Sequence, residues 1–311
     1  MERVLITGAS GFMGSHLSKF LLDKGYDVYG TYFTPTTDKN KVKGKLEECD
    51  MRDREKVKEI IERVKPDKIY HLAAQSFPIV SWEDPWYTIE ANVIGTINLF
   101  ESIKELGIDC RVLVAGTSGE YGYVTEEEVP VKETRELKPL HPYGVSKVGQ
   151  EMLTYQYWKN FGIKGITVRI FNTTGPRKIN DVCSDFCKRA IEIEKGKREK
   201  FSVGNLETKR AITDVRDVIE AFWLCLEKGE IGEVYNLSGS KVYSGNDILE
   251  IIKKLTGLSY NIEVDKKLLR PSEEPVIFGD SSKFKEKTGW EQKIKLEETI
   301  KDMLEWWRKN V

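Results

Sequence analysis

The chain has little of what would tie it to a membrane, a metal or an oxidising compartment. No apolar run among its 311 residues approaches the length needed to cross a bilayer, and a strand pattern begins at once, with no basic and apolar leader before it. A cytoplasmic protein without a membrane partner is expected. Only three histidines are present, and the five cysteines, at 49, 110, 183, 187 and 225, are odd in number, with no second pair to complete a zinc set around Cys183 and Cys187. Reduced, mostly buried thiols and no metal are expected. An excess of one charge is also lacking. With 49 basic against 50 acidic side chains, a formal charge of −1 and no long single-sign block, nucleic acid is not an expected partner.

What is present describes a globular chain with a heavily charged surface. Hydrophobic residues make up 40% and charged residues 32%, and the length is near the upper limit for one compact unit. A short apolar run from Arg3 to Thr7 suits a buried parallel strand, and the segment from Phe12 to Leu22 repeats its apolar residues at helical spacing. Between them lie Gly8, Gly11 and Gly14. In a strand-loop-helix context the first glycine takes a tight turn, the second lets backbone approach a pyrophosphate, and the third lets helix pack on strand. A dinucleotide site is the reading this order favours.

Further strand patterns at 27–31, 68–72, 111–115 and 165–170 alternate with helical patterns around 53–64, 85–105 and 146–161. This alternation predicts an α/β protein with a Rossmann-type, doubly wound parallel sheet. After Ile170 the pattern changes. A Gly-Pro loop at 175–176 and helices near 182–197, 214–228, 245–256 and 296–309 predict a smaller C-terminal α/β lobe for the substrate. The expected division gives residues 1–171 plus about 206–238 to the dinucleotide-binding domain, and about 172–205 plus 239–311 to the lobe. No internal repeat or low-complexity linker separates them.

Ligands of such sheets sit beyond the carboxyl ends of the strands, so the loops after Ala74, Ala115 and Ile170 should form the site. Within the helix expected there, Tyr143 and Lys147 are four residues apart and share a face. A cation beside a phenol favours the phenolate and moves its pKa, ordinarily about 10, toward neutrality. Taken alone this spacing also fits a surface aromatic with a solvated lysine. Cofactor choice turns on the end of the second strand, where an NAD enzyme commonly carries an acid for the ribose hydroxyls. Residues 30–34 have none. NADP(H) is therefore favoured, with Thr31, Lys39 or Lys41 near the 2′-phosphate, and NAD(H) is the alternative.

Together, Thr7 to Gly14, His71 to Ala74, Asn92, Thr117 and Ser118, Tyr143 to Lys147, Phe171 and Asn172, Thr213 to Asp217, and Arg270 to Glu273 resemble the extended short-chain dehydrogenase/reductase family. The segments 71–76, 81–87, 203–206 and 270–273 are most similar to its GDP-sugar branch, the GDP-mannose 4,6-dehydratases and GDP-4-keto-6-deoxymannose reductases. The resemblance implies that Tyr143 transfers a proton, Lys147 lowers its pKa and holds the nicotinamide ribose, and Thr117 bonds the reacting sugar oxygen. It also implies cofactor contacts from Gly8, Ser10, Gly11, Phe12, Met13, Gly14, Leu72, Ala73 and Ala74, with Asp50 and Met51 flanking adenine. Substrate contacts are expected from Gln75, Ser76, Ser118, Asn172, Val203, Asn205, Arg210, Arg270 and Glu273; arginine suits a diphosphate through its planar fork of donors.

A dehydratase needs an extra carboxylate beside the tyrosine, and the dehydratases resemble a pattern of Thr-Ser-Glu-x-Tyr-Gly. Here Gly119 stands in that place and Glu120 is shifted by one, which in extended chain turns a side chain to the opposite face. The expectation is a 4-keto reductase, with Glu120 kept as a candidate catalytic residue because a local bulge would return it to the site. A 4,6-dehydratase, a nucleotide-sugar 4-epimerase and a non-catalytic dinucleotide sensor are the alternatives. Related enzymes dimerise through helices matching 88–105 and 146–161, so a homodimer is expected, with Ile89, Val93, Ile97, Leu153 and Tyr157 as candidate contacts.

Overall fold

The computed structural model describes residues 1–268 and 274–311. The chain runs through β1 (Arg3–Thr7), α1 (Phe12–Asp23), β2 (Asp27–Tyr32), β3 (Lys45–Glu48), α2 (Arg54–Val64) and β4 (Lys68–His71). Two short helices, α3 (Pro78–Glu83) and α4 (Pro85–Ile89), lead through a π-helical turn at Glu90–Ile94 into α5 (Gly95–Leu106). Next come β5 (Arg111–Thr117), α6 (Pro142–Phe161), β6 (Lys164–Ile170), β7 (Asn172–Thr174), α7 (Val182–Glu194), β8 (Phe201–Val203) and β9 (Lys209–Asp214). The chain ends with α8 (Val215–Lys228), β10 (Val234–Leu237), β11 (Val242–Ser244), α9 (Gly245–Thr256), β12 (Ile262–Val264), β13 (Val276–Ile277), α10 (Ser282–Thr288) and α11 (Leu296–Asn310).

Seven strands form one sheet in the order β3-β2-β1-β4-β5-β6-β10, with every pairing parallel. This is the Rossmann-like doubly wound architecture. Alternation along β1 shows how the sheet is covered on both faces. Val4 and Ile6 enter the cluster packed by Leu17 of α1 and Phe222 of α8, while Leu5 enters the opposite cluster with Ile60 of α2 and Leu99 of α5. The second lobe builds on β9, which pairs with β7, β11 and β13, and on a core drawn from α7, α9 and α11.

Four local differences separate the structure from the sequence pattern. The strand β9 belongs to the second sheet, so the return to the first domain begins at α8 and not near residue 206. Part of the C-terminal region also returns, since Phe284 and Trp290 are fully buried in the first domain's core. The helix expected over 85–105 is broken by the π turn, and α6 starts at Pro142, four residues earlier than its apolar pattern suggests. Proline is well suited to the first helical turn, where its missing N–H is not needed.

Candidate active site

The glycine turn is held against its surroundings with no room for side chains. Gly8 adopts φ +73°, and a Cβ on it would lie 2.9 Å from the backbone of Ala73; on Gly14 it would lie 2.3 Å from the Gly8 carbonyl oxygen. Helix α1 is capped by Gly11, which offers no side-chain acceptor, and its first turn holds no acid. The first N–H groups of α1 therefore face the turn as unsatisfied donors, which fits a pyrophosphate. Ser10 is buried, Phe12 and Met13 are partly buried, and Thr37 N–H donates to the Ser10 carbonyl at 2.9 Å.

Sequence reading missed a group that reaches this turn from 160 residues away. His16 Nε2 lies 3.1 Å from the Pro176 carbonyl, and Lys178 Nζ is 5.0 Å from the Phe12 ring centroid. Burial, with the Arg177 charge adding to it, pushes His16 down to about 4, so it is neutral and donates to that carbonyl. No local pattern links residues 12–16 to 176–178; only the fold does.

After β3, Met51 is buried and its carbonyl accepts from Asn98 Nδ2 at 2.9 Å, while Asp50 is gripped by Arg52 at 2.7 Å. Thr31 does not reach outward to a ribose phosphate. It is buried, and its hydroxyl lies 3.4 Å from Gly8 N–H, so it closes the glycine turn instead. Lys39 is exposed and bonds the Tyr32 hydroxyl at 3.1 Å.

Thr117, Tyr143 and Lys147 converge where β5 ends against α6. The Thr117 side chain lies near enough to the Tyr143 phenol to act on its ionisation, and Lys147 Nζ is 5.8 Å from the Tyr143 ring centroid. Lys147 is buried and donates to the Ala115 carbonyl at 2.8 Å. Burial pushes Lys147 down to about 8, opposed by Glu120. The Tyr143 phenol is raised by burial, against the Thr117 side chain and with help from the Glu120 charge. Burial dominates the Tyr143 phenol here and outweighs the lowering expected from a neighbouring cation.

A buried relay fixes these groups. The Thr96 hydroxyl donates to the Asn92 carbonyl at 2.6 Å and so accepts from His71 Nε2–H at 2.9 Å, leaving His71 Nδ1 to accept from Thr7 at 2.8 Å. Burial, then the Lys147 charge, pushes His71 down to about 3, consistent with that neutral tautomer. The Asn92 side chain in the π turn bonds both backbone groups of Gln75, at 2.8 and 3.0 Å, and Ser146 Oγ at 2.8 Å. Such turns recur at functional sites.

The remaining candidates are dispersed. Glu120 is fully buried beneath the turn, with Oε1 accepting from Thr117 N–H at 2.7 Å and Oε2 lying 3.6 Å from Arg169 Nε. The Gln75 side chain turns inward to Phe77 and Thr88. Leu72, Ala73 and Ala74 line the loop after β4 and are half-buried, as is Ser118, whereas Ser76 and Asn172 are exposed. Val203 is fully buried in the lobe core, so its side chain is not free to meet a ligand. Asn205 accepts from Glu207 N–H at 3.0 Å, and Arg210 donates to the Lys209 and Glu274 carbonyls at 2.9 and 3.0 Å. Arg270 and Glu273 lie outside the described residues. Among the described residues no cluster could hold a metal, all five cysteines are free and buried, and no helix is long and apolar enough to cross a membrane.

A Rossmann sheet with a glycine turn after β1 and a Thr, Tyr and Lys group between β5 and α6 defines the extended short-chain dehydrogenase/reductase class. Residues 5–303 match the profile of the GDP-mannose 4,6 dehydratase family, and the chain belongs to that family. It is 32% identical to the GDP-mannose 4,6 dehydratase of Cricetulus griseus, covering 97% of this chain and 90% of the relative. It is 26% identical to the GDP-6-deoxy-D-mannose reductase of Pseudomonas aeruginosa, covering 100% and 98%. Among solved structures it is similar to the NADPH complex of RMD from Pseudomonas aeruginosa, with a TM-score of 0.88, 26% identity and full coverage of both chains. It is also similar to a UDP-glucose 4-epimerase of Thermotoga maritima, with a TM-score of 0.90, 29% identity and 99% coverage of both.

Proposed function

We propose that the protein is an NADP(H)-dependent reductase of a GDP-4-keto-6-deoxyhexose. The observation that carries the choice is the register at 117–121. Gly119 leaves no carboxylate where the dehydratase pattern has one, and the Glu120 carboxyl is fully buried against Thr117 N–H and Arg169. Reduction of a ketone needs a hydride, a proton donor and a hydrogen bond to the carbonyl oxygen. A nicotinamide cofactor, when bound, supplies the hydride. Tyr143 gives its proton to the oxygen at C4, Thr117 hydrogen-bonds that oxygen, and Lys147 supports the developing phenolate. The glycine turn and the N-terminus of α1 hold the cofactor's phosphates, and the absence of an acid at the end of β2 supports NADP(H) over NAD(H).

A second reading, the 4,6-dehydratase, draws support from the higher identity to the named dehydratase than to the named reductase. One assay separates them. GDP-mannose without added reductant, and the 4-keto-6-deoxy sugar with NADPH, are incubated separately and the products weighed by mass spectrometry. Reduction in the second reaction is expected; loss of water in the first overturns the reductase. Tyr143→Phe should lower kcat by about 10²- to 10⁴-fold while NADPH still binds, and turnover equal to that of the parent would refute its role.

We also assign the outer apolar face of α4 and α6 to a second copy of the chain. Trp86 is 81% exposed, and Ile94, Val145, Met152 and Tyr155 are exposed beside it in the π turn and α6. The contacts expected from sequence need correction here. Tyr157 is buried in the sheet's own core, its hydroxyl on Glu101 at 2.6 Å, and Leu153 packs there too.

A further inference from the structure

Helix α6 carries a third ionisable group in line with the first two. Glu151 follows Lys147 by four residues, so phenol, ammonium and carboxylate descend one face of the helix into the protein. At the bottom, Arg169 of β6 is bonded through Nε and Nη2 to both oxygens of Glu151, at 2.8 and 2.6 Å. Its Nη1 donates to the Tyr121 hydroxyl at 2.9 Å and the Glu133 carbonyl at 3.0 Å, and Tyr121 in turn bonds Asn236 of β10 at 2.7 Å. Four of the five guanidinium N–H groups are thereby used. Glu120 enters this closed space as a second carboxyl against one cation. Its Oε2 is buried with no hydrogen-bond donor in reach, and it faces the Glu151 carboxyl.

Two carboxylates cannot hold one another as acceptors; a proton between them makes the contact favourable. Arg169, one carboxylate and one carboxylic acid then sum to zero, so the contact carries no net charge of its own. Burial, then the Glu151 charge, pushes Glu120 up to about 8, in agreement with this arrangement.

We propose that Glu120 and Glu151 share a single proton beneath the catalytic turn, and that Glu120 is a positioning residue which in this state holds Thr117 in register with Tyr143. The register follows from the Glu120 bond to Thr117 N–H, and the electrostatic consequence from its place below the site. Loss of the proton adds a negative charge under Tyr143 and Lys147, and makes the phenol a poorer proton donor. The groups facing Glu120 are Glu151, Lys147 and Tyr143 from α6, Arg169 from β6, and Thr117 N–H from β5. Lys147 is the one further cation among them, and its ammonium is held on the Ala115 carbonyl and away from the Glu120 carboxyl's hydrogen-bonding reach.

The proposal rests on the reductase reading for its kinetic readout and not for its spectroscopic one. In the pH profile of kcat, the parent should fall through about pH 8. Glu120→Gln keeps an acceptor for Thr117 N–H and places an amide donor toward Glu151; its rate should drop by only about two- to fivefold and lose that alkaline limb. Glu120→Ala should lose kcat by more than about tenfold with KM little changed. Independently of any substrate, the parent-minus-Gln infrared difference spectrum at neutral pH should contain the carbonyl stretch of a protonated carboxylic acid. An alkaline limb retained in Glu120→Gln, or a difference spectrum with carboxylate bands alone, overturns the proposal. Absence of turnover in every variant with the acid band present instead removes the reductase reading and leaves the shared proton standing.

Discussion

Gly14→Ala is the sharpest test of the cofactor cradle, because the obstruction is backbone. A Cβ at position 14 would meet the Gly8 carbonyl oxygen at 2.3 Å and the Ala9 Cα at 2.8 Å, leaving it about 1 Å short of ordinary contact. Neither atom belongs to a side chain that can swing away. Helix α1 must therefore lift from β1, and overpacking of this kind costs about 1–3 kcal/mol. The same displacement moves the first N–H groups of α1 away from the bound phosphates. If the distortion falls wholly on the site, about 1.4 kcal/mol per decade gives a roughly 10- to 100-fold rise in the Kd for NADPH. Titration of NADPH fluorescence measures the Kd, and a urea melt of the same sample measures the folding penalty. Binding within about twofold of the parent, with an unchanged melt, would refute the assignment of this turn as the phosphate cradle.

Two other outcomes follow from the buried acid and the apolar face. Because the folded pKa of Glu120 is raised, its favourable contribution is complete below its unfolded pKa and is lost as pH rises through about 8. Parent stability should therefore fall relative to Glu120→Gln by about 1.4 kcal/mol per pH unit at most, measured by denaturant melts between mildly acidic and mildly alkaline buffer; parallel curves would refute the buried proton. Trp86→Glu combined with Met152→Glu should give a folded monomer by light scattering, and an unchanged dimer would move the interface elsewhere.

The first half of the fold was legible because each element there carries its own period and punctuation. Val4, Leu5 and Ile6 form an unbroken apolar run, and Gly8, Gly11 and Gly14 mark the turn that follows. The second lobe was harder to read. The assignment of its strand at Lys209–Asp214 depends on partners at 172–174, 242–244 and 276–277. The start of α6 was obscured because burial there runs against polarity, with Ser146, Lys147 and Glu151 buried and Val145, Met152 and Tyr155 exposed. Within the site, Thr117, Tyr143 and Lys147 lie at the end of β5 and in the first turns of α6. The fate of Thr31 and Gln75 did not follow from motif, because their hydroxyl and amide are consumed by neighbours that only folding supplies. Glu120 was read as turned away by one residue of register; that Arg169 and Glu151 wait on the far side was not visible in any local window.

The clamp made by Asn92 decides which wall of the site yields first. Pulling the loop after β4 from Asn92 would break two buried hydrogen bonds, each costing roughly 1–3 kcal/mol when left unmade, and Asn92 is itself tied to Ser146 of α6. The segment 33–41 across the glycine turn is fastened far more lightly, by Thr37 N–H and the Thr36 hydroxyl on the single carbonyl of Ser10. Of the two walls, the one at 33–41 therefore opens at the lower cost, and the one bearing Thr117, Tyr143 and Lys147 is the firmer.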